Sequence, residues 1–456
     1  MLKAMRFNEL TQTLSARILS NDCSFDGVSI DSRNIKPGQL FVALVGQSFD
    51  GHNYLNDVAA KGAAGALVQR EVEDSSLAQL LVSDTRLAFG QLGALNRTAF
   101  KKPVTAITGS SGKTTVKELL ASVLRTRGPV LATYGNLNNN FGVLLTLLEL
   151  ALEHTAAVIE LGASRIGEIA YTVTLTKPHV IIINNAELAH VGEFGSPEKI
   201  VEAKGEIFEG LNASGTAVLN LDDKAFETWR IRAANRNVLT FAVLNTSADF
   251  CASNITIDAR GCPSFTLHTP QGSEHVQLNL LGRHNVANAL ATAAAAYALG
   301  VSLFDTTIGL STLQPIKGRT VAQLANNGMR IIDDTYNANQ SSICAAIDLL
   351  NSFAGHKVLV LGDIAELGDW AEKSHREVGA YAIGKVDAFY AVGQNMVHAV
   401  NAFGRDAWHF ATQAKLIQTL VTTEQEKQTT ILIKGSRSAA MENVVAALCS
   451  FRQEKY

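Results

Sequence analysis

At 456 residues the chain is too long for one hydrophobic core, and its length argues for about three domains. Hydrophobic residues at 47% and charged residues at 18% exclude a disordered or fibrous chain. A net charge of −3 with no basic block removes the electrostatic footprint of a nucleic-acid binder.

The opening residues, MLKAMRFNELTQTL, contain no apolar run long enough for a signal peptide. No stretch approaches bilayer length, so a cytoplasmic protein without a transmembrane segment is expected. The most apolar helix candidate, 290–299, is half a span long and reads as a buried core helix. Cys23, Cys251, Cys262, Cys344 and Cys449 are scattered without a C-x-x-C pair. That pattern fits a reducing compartment and argues against a cysteine-based metal site.

Residues 1–83 read as a small α/β unit with strand candidates at 28–31, 39–44 and 65–68. Residues 84–315 hold continuous apolar runs at 157–160 and 180–184, the mark of parallel strands buried on both faces. Further strands are expected at 217–221 and 238–242, and turn pairs at 260–261 and 271–272 divide 254–280 into hairpins. From 316 to 456, strand candidates at 330–333, 357–361, 388–392 and 431–433 alternate with helices. The expected class is α/β in three domains. The small first unit precedes a central P-loop domain with a mostly parallel sheet, and a Rossmann-like, doubly wound third domain follows.

The segment PVTAITGSSGKTTVKEL (103–119) is the most telling one. A β-branched run leads into a glycine turn, and a helical pattern follows, which is the context a phosphate-binding loop needs. Gly109 and Gly112 let backbone N–H groups turn inward around phosphate oxygens, and the helix N-terminus adds positive character. Lys113 is placed to reach the terminal phosphates, and the Thr114 hydroxyl to join a Mg²⁺ shell. The loop is a compact variant, because Ile107 stands where the usual spacing has a first glycine. A nucleoside triphosphate ligand is expected.

Ligands of open parallel sheets sit beyond the carboxyl ends of the strands. Glu160 ends one such strand, His190 follows another in NNAELAHVGEFGS, and Lys204 comes next in EAKGEIFEGL. A carboxylate and a histidine facing a P-loop can hold one or two divalent cations. Asn136, Asn138 and Asn139 precede a helix and offer donors and acceptors to a peptide or sugar, while Asn140 reads as a simple helix cap. Asn285 and Asn288, three residues apart on a first helical turn, share a face where amides could read a base. In LIKGSRSAAM a strand runs into Lys434, Gly435, Ser436 and Arg437 at an expected helix start, another anion-binding geometry. Arg319, at the junction of the second and third units, could deliver a cation to a γ-phosphate across a closing cleft.

The ordered series TGSSGKTT, GNLNNNFG, ELGAS, AHVGEFGS, AKGEIF, GRHNVANALATAAA, KGR, DDTYNAN, GDIAELG and KGSRSAAM closely resembles the Mur ligase family of bacterial cell-wall synthesis. The resemblance spans the whole chain, including SIDSRNIKPGQLFVAL and FDGHNY near its start. Within the family it is closest to the dipeptide-adding branch. That implies an ATP-dependent carbon–nitrogen ligase joining D-alanyl-D-alanine to UDP-N-acetylmuramoyl-tripeptide through an acyl phosphate. It implies ATP bound at Gly109, Ser110, Ser111, Gly112, Lys113, Thr114 and Thr115. Asn285 and Asn288 then lie near the adenine, and Arg319 and Asp334 on the phosphate tail and ribose.

Two Mg²⁺ sites follow from the resemblance, with Thr114, Glu160, His190 and a carbamylated Lys204 as ligands. Lys113, Lys204, Arg319 and His190 become the catalytic set. Ser32 and Arg33 fall where the family's first domain receives UDP, and Asn138, Asn139, Lys434, Ser436 and Arg437 fall in substrate-facing stretches. No side chain stands out as general base, and a monomer is the simplest expectation. Three positions depart from the family pattern: Leu144 and Gln340 replace prolines, and Ser164 replaces an asparagine. The competing readings are the branch adding the third residue, folylpolyglutamate synthase and a P-loop switch. An absent Asn-Pro, an added first unit and an absent Asn-Lys-x-Asp motif count against them in turn.

Overall fold

The computed structural model describes residues 1–325, 328–423 and 428–450. Its apolar runs build three separate parallel sheets, each with helices packed against it. The first has five strands in the order Arg17–Ile18, Gln79–Leu81, Gly65–Val68, Gln39–Val42 and Gly27–Ser29. Only the Arg17–Ile18 edge runs antiparallel. The strand expected over 28–31 ends at Ser29, whose hydroxyl folds onto the backbone of Asp31 and starts a turn.

The central sheet has nine strands. Their order is Gly272–Gln277, Pro263–Thr269, Phe250–Ile257, Asn237–Ala242, Thr216–Asn220, Val180–Ile183, Val104–Thr108, Ala156–Glu160 and Val130–Ala132. Seven of these pair in parallel, and the two hairpin strands at one edge are antiparallel. One face is covered by helices Lys113–Arg125, His284–Ala298 and Leu303–Thr312, the other by Asn140–Leu148, Glu168–Thr176 and Phe226–Ala233. Burial on both faces explains why the middle strands read as unbroken apolar runs. The alanine-rich segment is a core helix, with Ala289 to Ala296 fully inside. Leu144 sits buried within Asn140–Leu148, a stretch that a proline would interrupt.

The third sheet has six strands in the order Val321–Leu324, Arg330–Asp334, Thr429–Lys434, His356–Gly362, Ala388–Val392 and Ala407–Phe410, all parallel but the first. One expectation needs correction here. The strand carrying Lys434 does not enter a helix at Ser436. A single 3-10 turn, Arg437–Ala439, intervenes, Ala440 adopts a left-handed conformation, and the helix begins only at Glu442. The helix-terminus argument for an anion site at 434–437 therefore falls.

The second and third regions meet directly. Gly192 donates its N–H to the Glu366 carbonyl at 3.0 Å. A Cβ on Gly192 would sit 2.5 Å from the Gly368 nitrogen, so only glycine allows this approach.

Candidate active site

The strand Val104–Thr108 lies between Ala156–Glu160 and Val180–Ile183, and the chain leaves it first toward one side and later toward the other. That is a topological switch point, where an open parallel sheet parts its loops and leaves a crevice. Parallel register sets Glu160 opposite Ile107 and Ile183 opposite Thr108. The glycine loop thus emerges between Glu160 on one side and Asn184-Asn185 on the other.

Gly112 caps the P-loop helix in a left-handed conformation, φ 76°. A Cβ there would lie 2.3 Å from Asn184 Nδ2 and 2.4 Å from Asn288 Oδ1, so conformation and space both demand glycine. The loop's donors are held by the chain itself. Asn185 Oδ1 accepts the N–H groups of Ser110 and Ser111 at 3.0 and 2.9 Å, and the Ser111 hydroxyl donates to Glu187 at 2.8 Å. Lys113 Nζ folds back onto the Gly109 carbonyl at 2.6 Å, and burial pushes its pKa down. Burial also pushes the Glu187 carboxyl up.

Thr114 is the junction of the site. Its hydroxyl donates to Glu160 at 2.9 Å and accepts from the Arg319 guanidinium at 2.9 Å. Glu160 takes a second hydrogen bond, from Asn138 Nδ2 at 2.7 Å. Arg319 lies over the Tyr336 ring at 4.0 Å, a stacking that fixes the plane of its donors. The third region thus already reaches the phosphate loop.

Lys204, on helix Pro197–Gly205, is 2% exposed. Its ammonium approaches the Phe194 ring at 5.4 Å and makes no hydrogen bond or ion pair among the described residues. Burial, with Lys113 adding repulsion, pushes its pKa down to about 7. The His190 ring packs against the Glu366 carboxylate from the third region.

These groups open onto one cleft of about 990 Å³ between the second and third regions. Ser110 to Thr115, Asn138, Asn139, Glu160, His190 and Lys204 line its central wall. Asn288, Arg319, Asp334, Lys434 and Arg437 complete it. Several expected roles shift. Asn139, not Asn140, caps the following helix, accepting the Gly142 N–H at 2.9 Å. Asn285 lies behind the loop: it donates to the Leu281 carbonyl and accepts from Asn288, which in turn accepts from Asn184. This amide relay braces the P-loop from beneath. Lys434 is consumed by Asp334 at 2.6 Å and by the Asn337 carbonyl at 2.8 Å. Ser436 is buried and accepts the Ala365 N–H at 2.8 Å. Arg437 pairs with Glu442 at 2.8 Å on the cleft rim. Ser32 and Arg33 stand apart on the first region, where Arg33 pairs with Asp31 at 2.9 Å and holds its carboxyl down at about 2.

Sequence reasoning passed over Asn184, Asn185, Glu187, Tyr336 and Glu366 as site residues. The signal for the first three was two asparagines directly after a fully apolar run, a strand end next to the P-loop strand.

Family models match along the chain: Mur ligase family, catalytic domain at residues 24–92, Mur ligase middle domain at 107–296, and Mur ligase, glutamate ligase domain at 318–437. A relative from Escherichia coli (strain K12), UDP-N-acetylmuramoyl-tripeptide–D-alanyl-D-alanine ligase, is 45% identical over 98% of both chains. The chain belongs to the Mur ligase family. It is accordingly an ATP-dependent carbon–nitrogen ligase of peptidoglycan synthesis. A Bacillus subtilis (strain 168) protein of the same name is 34% identical over 92% of this chain and 93% of its own. A solved MurF structure from Acinetobacter baumannii superposes with TM-score 0.93 at 40% identity, covering 99% of this chain and 100% of that one. MurF ligase from Thermotoga maritima, solved in complex with ADP, gives TM-score 0.82 at 27% identity over 92% and 96%. Among the described residues no helix is long and apolar enough to cross a membrane.

Proposed function

We propose that this Mur ligase joins D-alanyl-D-alanine to UDP-N-acetylmuramoyl-tripeptide in the cytoplasm. Residues 1–83 receive the UDP end near Ser32 and Arg33, 84–315 bind ATP, and 316–456 supply the ligase half of the cleft. The observation that carries the reading is the Thr114 junction. There a hydroxyl at the head of a P-loop helix joins a metal-type carboxylate to an arginine brought from another region.

A carboxylate is a poor electrophile, and like the γ-phosphate it is anionic, so the first barrier is charge repulsion. An oxygen of the tripeptide's terminal carboxylate attacks the γ-phosphorus, ADP leaves, and an acyl phosphate forms. The dipeptide amine then adds to the acyl carbon, loses a proton, and displaces inorganic phosphate, which carries away that carboxylate oxygen. Lys113 and Arg319 neutralise the transferring group, while the P-loop N–H groups, once released by Asn185, orient it. Asn138 and Glu160 fix the position of the Thr114 hydroxyl.

The donor set fits Mg²⁺. Thr114 and Glu160 would hold one ion, and His190 with Lys204 a second, the ions supplying charge neutralisation and alignment of the phosphates. Lys204 would serve as an anionic oxygen ligand once carbamylated. Its buried amine makes no hydrogen bond among the described residues, and in its neutral form it would add CO2 and release one proton to give a carbamate. Phosphate release that requires both UDP-N-acetylmuramoyl-tripeptide and D-alanyl-D-alanine tests the function. ATP turnover without the dipeptide would contradict it.

A further inference from the structure

We propose that Glu366, carried by the third sheet, is the positioning residue that orients His190 for cation binding. This rests on the reading above that His190 is a ligand of a divalent cation. The His190 Nδ1 faces a Glu366 carboxylate oxygen, with a Glu193 oxygen farther off at 3.8 Å. With its proton on Nδ1, turned toward that carboxylate, the ring would keep its lone pair on Nε2. That nitrogen makes no hydrogen bond among the described residues, and His190 lines the cleft. Metal-binding histidines are held in this way, the second ring nitrogen donating to a carboxylate.

Glu366 is itself held in place by its own region. The Ile364 N–H donates to Nε2 of His375 at 3.1 Å, and the Ala365 N–H donates to Ser436 Oγ at 2.8 Å. His375 is fully buried, and its Nδ1 bonds the Ala371 carbonyl at 2.7 Å, which fixes Nε2 as the acceptor. Asp363, three residues before Glu366, accepts the Met396 N–H at 3.0 Å. The Glu366 carbonyl then docks on Gly192, two residues past His190. The histidine stands on the central region and its orienting partner on the third. The second cation site is therefore complete only when the two regions meet.

The test is Mn²⁺ binding to the full chain with a non-hydrolysable ATP analogue, read by electron paramagnetic resonance. Wild type binds two ions. Glu366→Ala keeps one at unchanged affinity, which also reports an intact fold, and weakens the other by about 10- to 100-fold. Glu366→Gln retains a carbonyl acceptor for the Nδ1 proton and recovers most of that affinity. Small-angle scattering shows the same compaction in all three. An unchanged second site in Glu366→Ala, while His190→Ala weakens it, overturns the inference and leaves the cation reading standing. Two unchanged sites in His190→Ala overturn the cation reading itself. A Glu366→Gln as weak as Glu366→Ala, or a loss of compaction alongside the ion, would make Glu366 a direct ligand or a mere clasp and overturn the positioning role.

Discussion

The central and third sheets are both largely parallel, and both turn strand ends toward the same cleft, yet they use their charges in opposite ways. In the central sheet the strand Val104–Thr108 ends in a turn whose cation, Lys113, is bonded among the described residues to loop carbonyls alone. Its N–H donors rest on a neutral amide, Asn185, which an anion can replace. In the third sheet the adjacent strand ends carry Asp334 and Lys434 in register, paired at 2.6 Å, with the lysine buried and the carboxylate half-buried. One sheet keeps its positive groups available, and the other pairs Lys434 internally and sends Arg319 across the cleft. The two sheets look alike as topology. Only the partners of each charge tell which one grips an anion.

The comparison breaks first at Arg319. As the third region's cation at the phosphate loop, Arg319 is expected to matter most: Arg319→Ala lowers kcat by about 10³-fold or more with little change in ATP binding. A loss below tenfold in steady-state phosphate release would remove that role. Lys204→Ala comes next, with a loss of about 100-fold that a small added carboxylic acid partly restores. Full activity in the unrescued variant would dismiss the carbamate.

Lys434→Ala probes the opposite claim, that this lysine is structural. It leaves the half-buried Asp334 without its cation and costs about 1–3 kcal/mol in denaturant unfolding, while Lys434→Met combined with Asp334→Leu recovers most of the loss. The smallest effect belongs to the amide relay. Asn285→Ala costs about 1–2 kcal/mol of stability by orphaning the Leu281 carbonyl and Asn288, and it raises the KM for ATP only slightly.

What could be read from sequence was what local chemistry encodes. The glycine turn, Lys113, Thr114 and the strand-end Glu160 announce themselves within a few residues, because a phosphate loop is a short-range device. Asn185 and Glu187 leave a weaker trace at that range, two asparagines after an apolar run. They matter only because Val180–Ile183 pairs with the P-loop strand, and strand order is a long-range result. Asn285 and Asn288 share a helical face as their spacing demands, but only Asn288 lines the cleft, since spacing sets the face and packing sets what lies beyond it. The helix expected at Ser436 failed because buried Ser436 takes the Ala365 N–H as its partner and delays the helix by one turn. Glu366 could not be recognised from GDIAELG alone, because its partner His190 lies on another sheet.

The central claim is that the P-loop's triphosphate gives its γ-phosphoryl group to the tripeptide's terminal carboxylate. Oxygen-18 placed in that carboxylate tests it most directly, by mass spectrometry of the phosphate released in a complete reaction with D-alanyl-D-alanine. The account predicts one labelled oxygen in each inorganic phosphate. Unlabelled phosphate formed alongside amide product would contradict it.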